Sequence, residues 1–235
     1  MLVGILETGR PPAELAADYQ SYAAMFEHLL GGNNLDFRVF SVLNDEFPEA
    51  PNTCDAWLIT GSRHGVYEQL PWMLKLQAFI RHVRDAKVPM IGVCFGHQII
   101  AQALGGEVQK SPKGWGIGVH EYAIHQGLPQ MGSTDKFRIY AMHQDQVIKR
   151  PPDAKIVASS EFCEYAALLY GDSILSFQGH PEFTDHFERE LLALRKGTVI
   201  PEAQADKTLQ EIDSGTVKAE GDKVADWMVG FLKKS

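Results

Sequence analysis

The chain has 235 residues, 45% of them hydrophobic and 22% charged, with a formal net charge of −8. This is enough chain for one substantial core, and an acidic balance with no long basic block excludes nucleic acid as the main partner. No apolar stretch reaches the ~18 residues of a membrane span, Met1–Glu7 lacks the basic start of a signal peptide, and Cys54, Cys94 and Cys163 are an odd set without zinc-like pairing, which reads as free thiols in a reducing cytoplasm.

In chain order, Leu2–Leu6 predicts a strand. Ala13–Leu30 predicts a helix, because Leu15, Tyr19, Tyr22, Ala23, Phe26, Leu29 and Leu30 recur at helical spacing. Strands follow at Phe37–Val42 and Ala56–Thr60, then a helix at Leu70–Ala86 with Trp72, Leu76, Phe79, Ile80 and Val83 on one face, then a strand at Pro89–Val93. Ile99–Leu104 continues as helix, and Gly31-Gly32 and Gly105-Gly106 are good helix stops. The second half is richer in strand: Val119–Ile124, Phe137–Met142, Ile156–Ala158, Tyr165–Tyr170 and Ile174–Phe177, the last two joined by a tight turn at Gly171-Asp172. From Thr184 onward the chain reads helical, with a polar break at Gly197–Asp206 and a final amphipathic stretch at Lys223–Leu232. Alternating strands and helices predict an α/β fold in three layers, with a mostly parallel central sheet and helices on both faces. With no repeat or linker, the expectation is one domain over residues 1–235, carrying a helical extension from about 184 to 235.

In such sheets ligands gather beyond the carboxyl ends of the strands, and four polar clusters follow predicted strands. They are Thr60-Gly61-Ser62-Arg63-His64-Gly65, Gly92-Val93-Cys94-Phe95-Gly96-His97-Gln98, His143-Gln144-Asp145 and Gln178-Gly179-His180-Pro181-Glu182. Cys94 stands on a strand–turn–helix junction, where helix-start N–H groups and the positive dipole end favour a thiolate and can hold an oxyanion. The flanking Gly92 and Gly96 suit a crowded turn. A cysteine at a strand end is more often a small buried hydrophobe, and that is the reading for Cys54 and Cys163. A cysteine nucleophile needs a base with an orienting carboxylate; His180 and Glu182 offer both within three residues. In isolation, His180-Pro181-Glu182 better suits a loop histidine beside a helix-starting proline and a dipole-complementing glutamate, a reading that loses only in combination with the cysteine turn.

Gly92-Val93-Cys94-Phe95-Gly96-His97-Gln98 together with Phe177-Gln178-Gly179-His180-Pro181-Glu182-Phe183 resembles the class I (triad) glutamine amidotransferases, from Met1 to about Asp185. The resemblance implies that family's flavodoxin-like fold and a catalytic triad of Cys94, His180 and Glu182, whose cysteine–histidine separation is typical of the family. It implies an oxyanion hole from the Gly61 and Phe95 backbone N–H groups, although Thr60-Gly61-Ser62 departs from the family's glycine-glycine-glycine or glycine-glycine-proline loop. It assigns Gln98, His143 and Asp145 to substrate binding, with Asp145 alternatively a helix N-cap. Lys113-Gly114-Trp115-Gly116-Ile117-Gly118 resembles a further substrate-side loop, or else a glycine-rich hairpin with a packed Trp115.

The implied reaction is hydrolysis of a γ-glutamyl amide through a glutamyl thioester on Cys94, with no metal or cofactor. A Cys94/His97/His180 zinc site is set aside, because Cys-x-x-His alone is a weak signal. The expected partner is a small γ-glutamyl molecule, glutamine or a γ-glutamyl conjugate, without nucleic acid or membrane. The Thr-Gly-Ser loop, the Cys-Phe-Gly-His-Gln segment and the helical tail resemble the stand-alone branch that contains γ-glutamyl peptidases. Alternatives are a glutaminase passing ammonia to a partner synthase subunit and a non-catalytic binding protein on the same fold.

Overall fold

The computed structural model describes residues 1–233; the last two residues of the expected 1–235 domain, Lys234 and Ser235, lie outside the described residues. In chain order the elements are β1 (Leu2–Glu7), α1 (Tyr22–Leu30), β2 (Asp36–Ser41), β3 (Ala56–Ile59), α2 (Pro71–Ala86), β4 (Met90–Val93) and α3 (Phe95–Ala103). Then come β5 (Glu107–Lys110), β6 (Gly116–Ile124), β7 (Lys136–His143), β8 (Asp145–Lys149), β9 (Ala154–Ser159), β10 (Ala167–Tyr170) and β11 (Ile174–Phe177). The chain closes with α4 (Asp185–Arg195), α5 (Glu202–Ser214) and α6 (Gly221–Leu232).

Strands β3, β4 and β11 are apolar runs interrupted only by Ser176 and are buried at every position, as expected of strands covered on both faces. They form the centre of a nine-stranded sheet ordered β2-β1-β3-β4-β11-β10-β9-β6-β7. The first five run parallel, and the remaining four extend the sheet antiparallel beyond β11. On one face, Phe26 and Leu30 of α1 and Trp227, Met228 and Phe231 of α6 share a core with Val3, Ile5 and Val93. On the other, Met73, Leu76 and Ile80 of α2 and Ile99 and Ile100 of α3 pack on Leu6, Trp57 and Ile59. The expected α/β architecture with helices on both faces is present.

The register places the site. Ile59 pairs with Gly92 and Phe177 with Val93, so the segments leaving β3, β4 and β11 start side by side at one sheet edge. His180, on the segment leaving β11, is tied to β7: its N–H donates to the Tyr140 carbonyl at 2.7 Å.

Several boundaries differ from expectation. The helix expected over Ala13–Leu30 is a single 3₁₀ turn at Ala13–Leu15 followed by α1, which starts only at Tyr22. Ser21 stops it from starting earlier: extended at φ −162, it accepts from the Ala24 N–H at 3.0 Å and caps the helix. Leu15 and Tyr19 pack instead against α4 and its neighbours, with Tyr19 edge-on to Phe187 at 4.6 Å. The antiparallel pair β5–β8 had no counterpart in the sequence reading, because its strands are short and mostly polar. It puts Asp145 in a strand, which overturns the N-cap alternative for that residue. Gly116, Ile117 and Gly118, read with a loop, open β6, and the break expected at Gly197–Asp206 closes earlier, at Glu202.

Candidate active site

Cys94 is held at φ 53, ψ −104 between β4 and α3. Its N–H donates to the Phe177 carbonyl at 2.9 Å, and its own carbonyl accepts the first helical bond, from Gln98 N–H, at 3.1 Å. A positive φ on a non-glycine residue costs about 1–3 kcal/mol, so the turn carries strain on the cysteine itself. The neighbouring glycines serve close approach rather than unusual dihedrals. A Cβ on Gly92 would lie 2.5 Å from Ile100 Cδ1, and one on Gly96 would lie 2.4 Å from the Ile59 carbonyl oxygen. Phe95, Gly96 and His97 are the first residues of α3, so their amides have no acceptor within the helix.

His180 stands opposite. Its Nδ1 is 2.7 Å from Glu182 Oε1, its ring stacks on Phe183 at 4.0 Å, and Nε2 is left for the cysteine. Burial would lower the His180 pKa, but the neighbouring Glu182 carboxylate and Cys94 raise it well above the ordinary imidazole value. Glu182 is fully buried, and its Oε2 has no partner among the described residues. A Cβ on Gly61 would lie 3.2 Å from His180 Cε1 and 3.8 Å from Cys94 Cβ, so the Gly61 backbone forms the wall beside both. That wall is fixed by Thr8, at the end of β1: its hydroxyl donates to the Thr60 carbonyl at 2.8 Å and the Gly61 carbonyl at 3.1 Å, and its N–H donates to Thr60 Oγ1 at 3.0 Å. Thr8 carried no signal in the sequence, because its partners lie some fifty residues away.

Gln98, His143 and Asp145 also come together and line the same cleft. Gln98 Nε2 donates to the Asp145 carbonyl at 2.9 Å and to Gln178 Oε1 at 3.1 Å, while His143 Nδ1 lies 3.1 Å from the same Asp145 carbonyl. Burial pushes the His143 pKa down to about 3, so this ring is neutral. The Asp145 carboxylate faces the Tyr67 hydroxyl at 3.3 Å. Gln98 and His143 thus fix the backbone of β8 and leave the Asp145 carboxylate available to a ligand.

His97 is buried and neutral, its pKa pushed down to about 3 by burial, with Nδ1 2.8 Å from Ser176 Oγ. No three His, Cys, Asp or Glu side chains cluster as a metal site among the described residues. Cys54 and Cys163 are buried in the two main cores, and burial pushes the Cys163 thiol up to about 12.

The cleft holds about 930 Å³ and reaches well beyond these residues, to Arg10, Tyr22, Lys110, Trp115 and Arg195. Trp115 belongs to the segment read as a substrate-side loop; Arg10, Tyr22, Lys110 and Arg195 were not candidates, each an ordinary loop, helix or strand residue until the fold closes. Trp115 is braced through its carbonyl, which accepts from Gln204 Nε2 at 2.7 Å.

Glu188 of α4 is fully buried behind the site, where Oε1 accepts from the Gly118 N–H at 3.1 Å. Burial pushes its pKa from 4.5 up to about 8, against the lowering effects of that N–H and of His180. The folded state therefore binds this proton more tightly than the unfolded chain. The resulting stabilisation is fully present below about pH 4.5 and is lost as pH rises through about 8. Glu188→Gln keeps the acceptor and removes the titration. Urea unfolding should show the variant more stable than the parent by a few kcal/mol at pH 9, with the gap closing toward pH 5; parallel pH profiles would contradict this.

A family model for glutamine amidotransferase class-I matches residues 16–195. A glutamine amidotransferase-like protein of Schizosaccharomyces pombe is 29% identical over 98% of each chain. Gamma-glutamyl peptidase 4 of Arabidopsis thaliana is 32% identical over 76% of this chain and 75% of its own. A crystal structure of a glutamine amidotransferase from Thermotoga maritima superposes with a TM-score of 0.76 at 19% identity, covering 99% of this chain and 96% of that one.

Proposed function

The chain belongs to the glutamine amidotransferase class-I family, and from that premise we propose that it hydrolyses γ-glutamyl amide bonds with Cys94 as nucleophile, as a single domain acting in a reducing cytoplasm. The observation that carries this reading is the strained Cys94 turn set against the buried His180–Glu182 pair.

Cys94 Sγ, as thiolate, attacks the γ-carbonyl carbon, and the carbonyl oxygen becomes an oxyanion held by the Gly61 and Phe95 N–H groups. Each good donor of this kind contributes roughly 3 kcal/mol to lowering the barrier. His180 Nε2 passes its proton to the leaving nitrogen as the C–N bond breaks, which leaves a glutamyl thioester. His180 then takes a proton from water, whose hydroxide attacks the thioester; the C–S bond breaks, glutamate leaves, and the thiolate and imidazolium are restored. Glu182 fixes the ring and stabilises its charge throughout. Asp145, beside Gln98 and His143, holds the substrate's α-amino group.

The test is glutamate release from glutamine and from γ-glutamyl dipeptides by the purified protein. Turnover of at least one is expected. Turnover of none, with no labelling of Cys94 by a glutamine-like electrophile, would refute the reading. Turnover of glutamine alone would redirect it to an ammonia-supplying subunit.

A further inference from the structure

On the γ-glutamyl hydrolase reading, His180 must reach the leaving nitrogen, so the rest of the leaving group lies against the surface that continues from His180. That surface is more than ammonia requires. Phe183 stacks on His180 at 4.0 Å and on Tyr22 at 6.4 Å, and Leu191 and Ile200 extend the same apolar wall. Val199 lies on the wall too and is 46% exposed, an apolar side chain open to the cleft.

At its end stands a cation. The ion pairs around α4 join Arg189 to Asp213 and Lys196 to Asp206 and Glu202, which leaves Arg195 without a carboxylate among the described residues. Arg195 lines the same cleft as Tyr22, Cys94 and His180. Arg10 lines the cleft from the loop after β1. The chain from Arg195 to Ile200 is a tight turn rather than a loose tail: the Arg195 carbonyl accepts from the N–H groups of Thr198, Val199 and Ile200 at 3.1–3.2 Å. Most of this turn lies past residue 195, where the family-model match ends, so the wall is built partly by a segment beyond the matched residues.

We propose that Tyr22, Phe183, Val199, Ile200 and Arg195 form a leaving-group subsite, and that the preferred substrate is a γ-glutamyl compound whose leaving amine carries an apolar side chain and a free carboxylate, as in a γ-glutamyl amino acid or short peptide. The apolar wall takes the side chain and Arg195, seconded by Arg10, takes the carboxylate. Glutamine, whose leaving group is ammonia, leaves the subsite empty.

The experiment compares kcat/KM of the full chain for γ-glutamyl-leucine, its C-terminal amide, γ-glutamyl-glycine and glutamine. The free acid should exceed the amide by roughly tenfold or more, and glutamine should fall below both. Arg195→Gln, which breaks no ion pair, should bring the acid-to-amide ratio to within about twofold. Val199→Asp should lower the preference for leucine over glycine. Equal cleavage of acid and amide, or an Arg195→Gln loss of the same factor on both, overturns the subsite while glutamate release keeps the hydrolase reading standing. Release from none of the four removes that reading and the subsite with it.

Discussion

Cys94→Ala is expected to abolish γ-glutamyl hydrolysis, by about 10⁴-fold or more, and to leave the fold intact. The first half follows from the chemistry: no other cysteine lies in the cleft, and Cys54 and Cys163 are sealed in the cores. The second follows from the geometry. The Cys94 N–H and carbonyl bonds to Phe177 and Gln98 belong to the backbone and survive the substitution. The φ of 53 survives as well, and with it the strain. Cys94→Gly is the informative companion. Glycine relieves about 1–3 kcal/mol of backbone strain and loses about 0.5–1 kcal/mol of chain entropy, so the glycine variant should be inactive yet at least as stable as the alanine variant. Thermal melts and glutamate release decide both points. Residual activity in Cys94→Ala would exclude Cys94 as the nucleophile, and a glycine variant clearly less stable than alanine would exclude strain at the turn.

Glu182→Gln should lower kcat by about 10²–10⁴-fold and move the basic limb of the pH–rate profile to lower pH. Burial is the largest influence on His180 and lowers its pKa; the Glu182 carboxylate and Cys94 reverse it. Without the carboxylate, burial regains ground and the imidazolium gives up its proton at lower pH. Linkage has the same sign. A histidine whose folded pKa is raised contributes stability that is fully present below about 6.5 and lost as pH rises through the raised value. The stability gap between parent and variant is therefore widest at acid pH within this limb. The glutamine nitrogen would take the place of Oε2, which already lacks a partner, so the fold should tolerate the change. A basic limb that stays in place would show that Glu182 does not hold the His180 proton.

The strands around the site were legible because their information is local. Ala56–Ile59, Met90–Val93 and Ile174–Phe177 are apolar runs bounded by glycine, proline or polar residues, and any such run buried on both faces becomes a strand. The start of α1 was less legible. Helical spacing continues back to Leu15, but the Ser21 cap and the pull of Tyr19 toward Phe187 decide where the helix begins. The β5–β8 pair was invisible, since two short polar strands about forty residues apart leave no periodic mark.

The types and local settings of the proposed reacting groups stand in the residues alone: a cysteine between glycines on a strand–helix turn, and a histidine and glutamate on the exit of a later strand. The closed fold is what puts the positive φ on Cys94 rather than on Gly92 or Gly96, and what makes Thr8 hold the Gly61 loop. It also turned the Gln98 and His143 side chains toward the backbone of β8, and brought Tyr22 and Arg195 to one wall beside His180. The reason is the range of the forces involved. Turn sterics and burial patterns act over a few residues and leave their record there, whereas a cleft is made by register between strands far apart in the chain, and its lining exists only once that register closes.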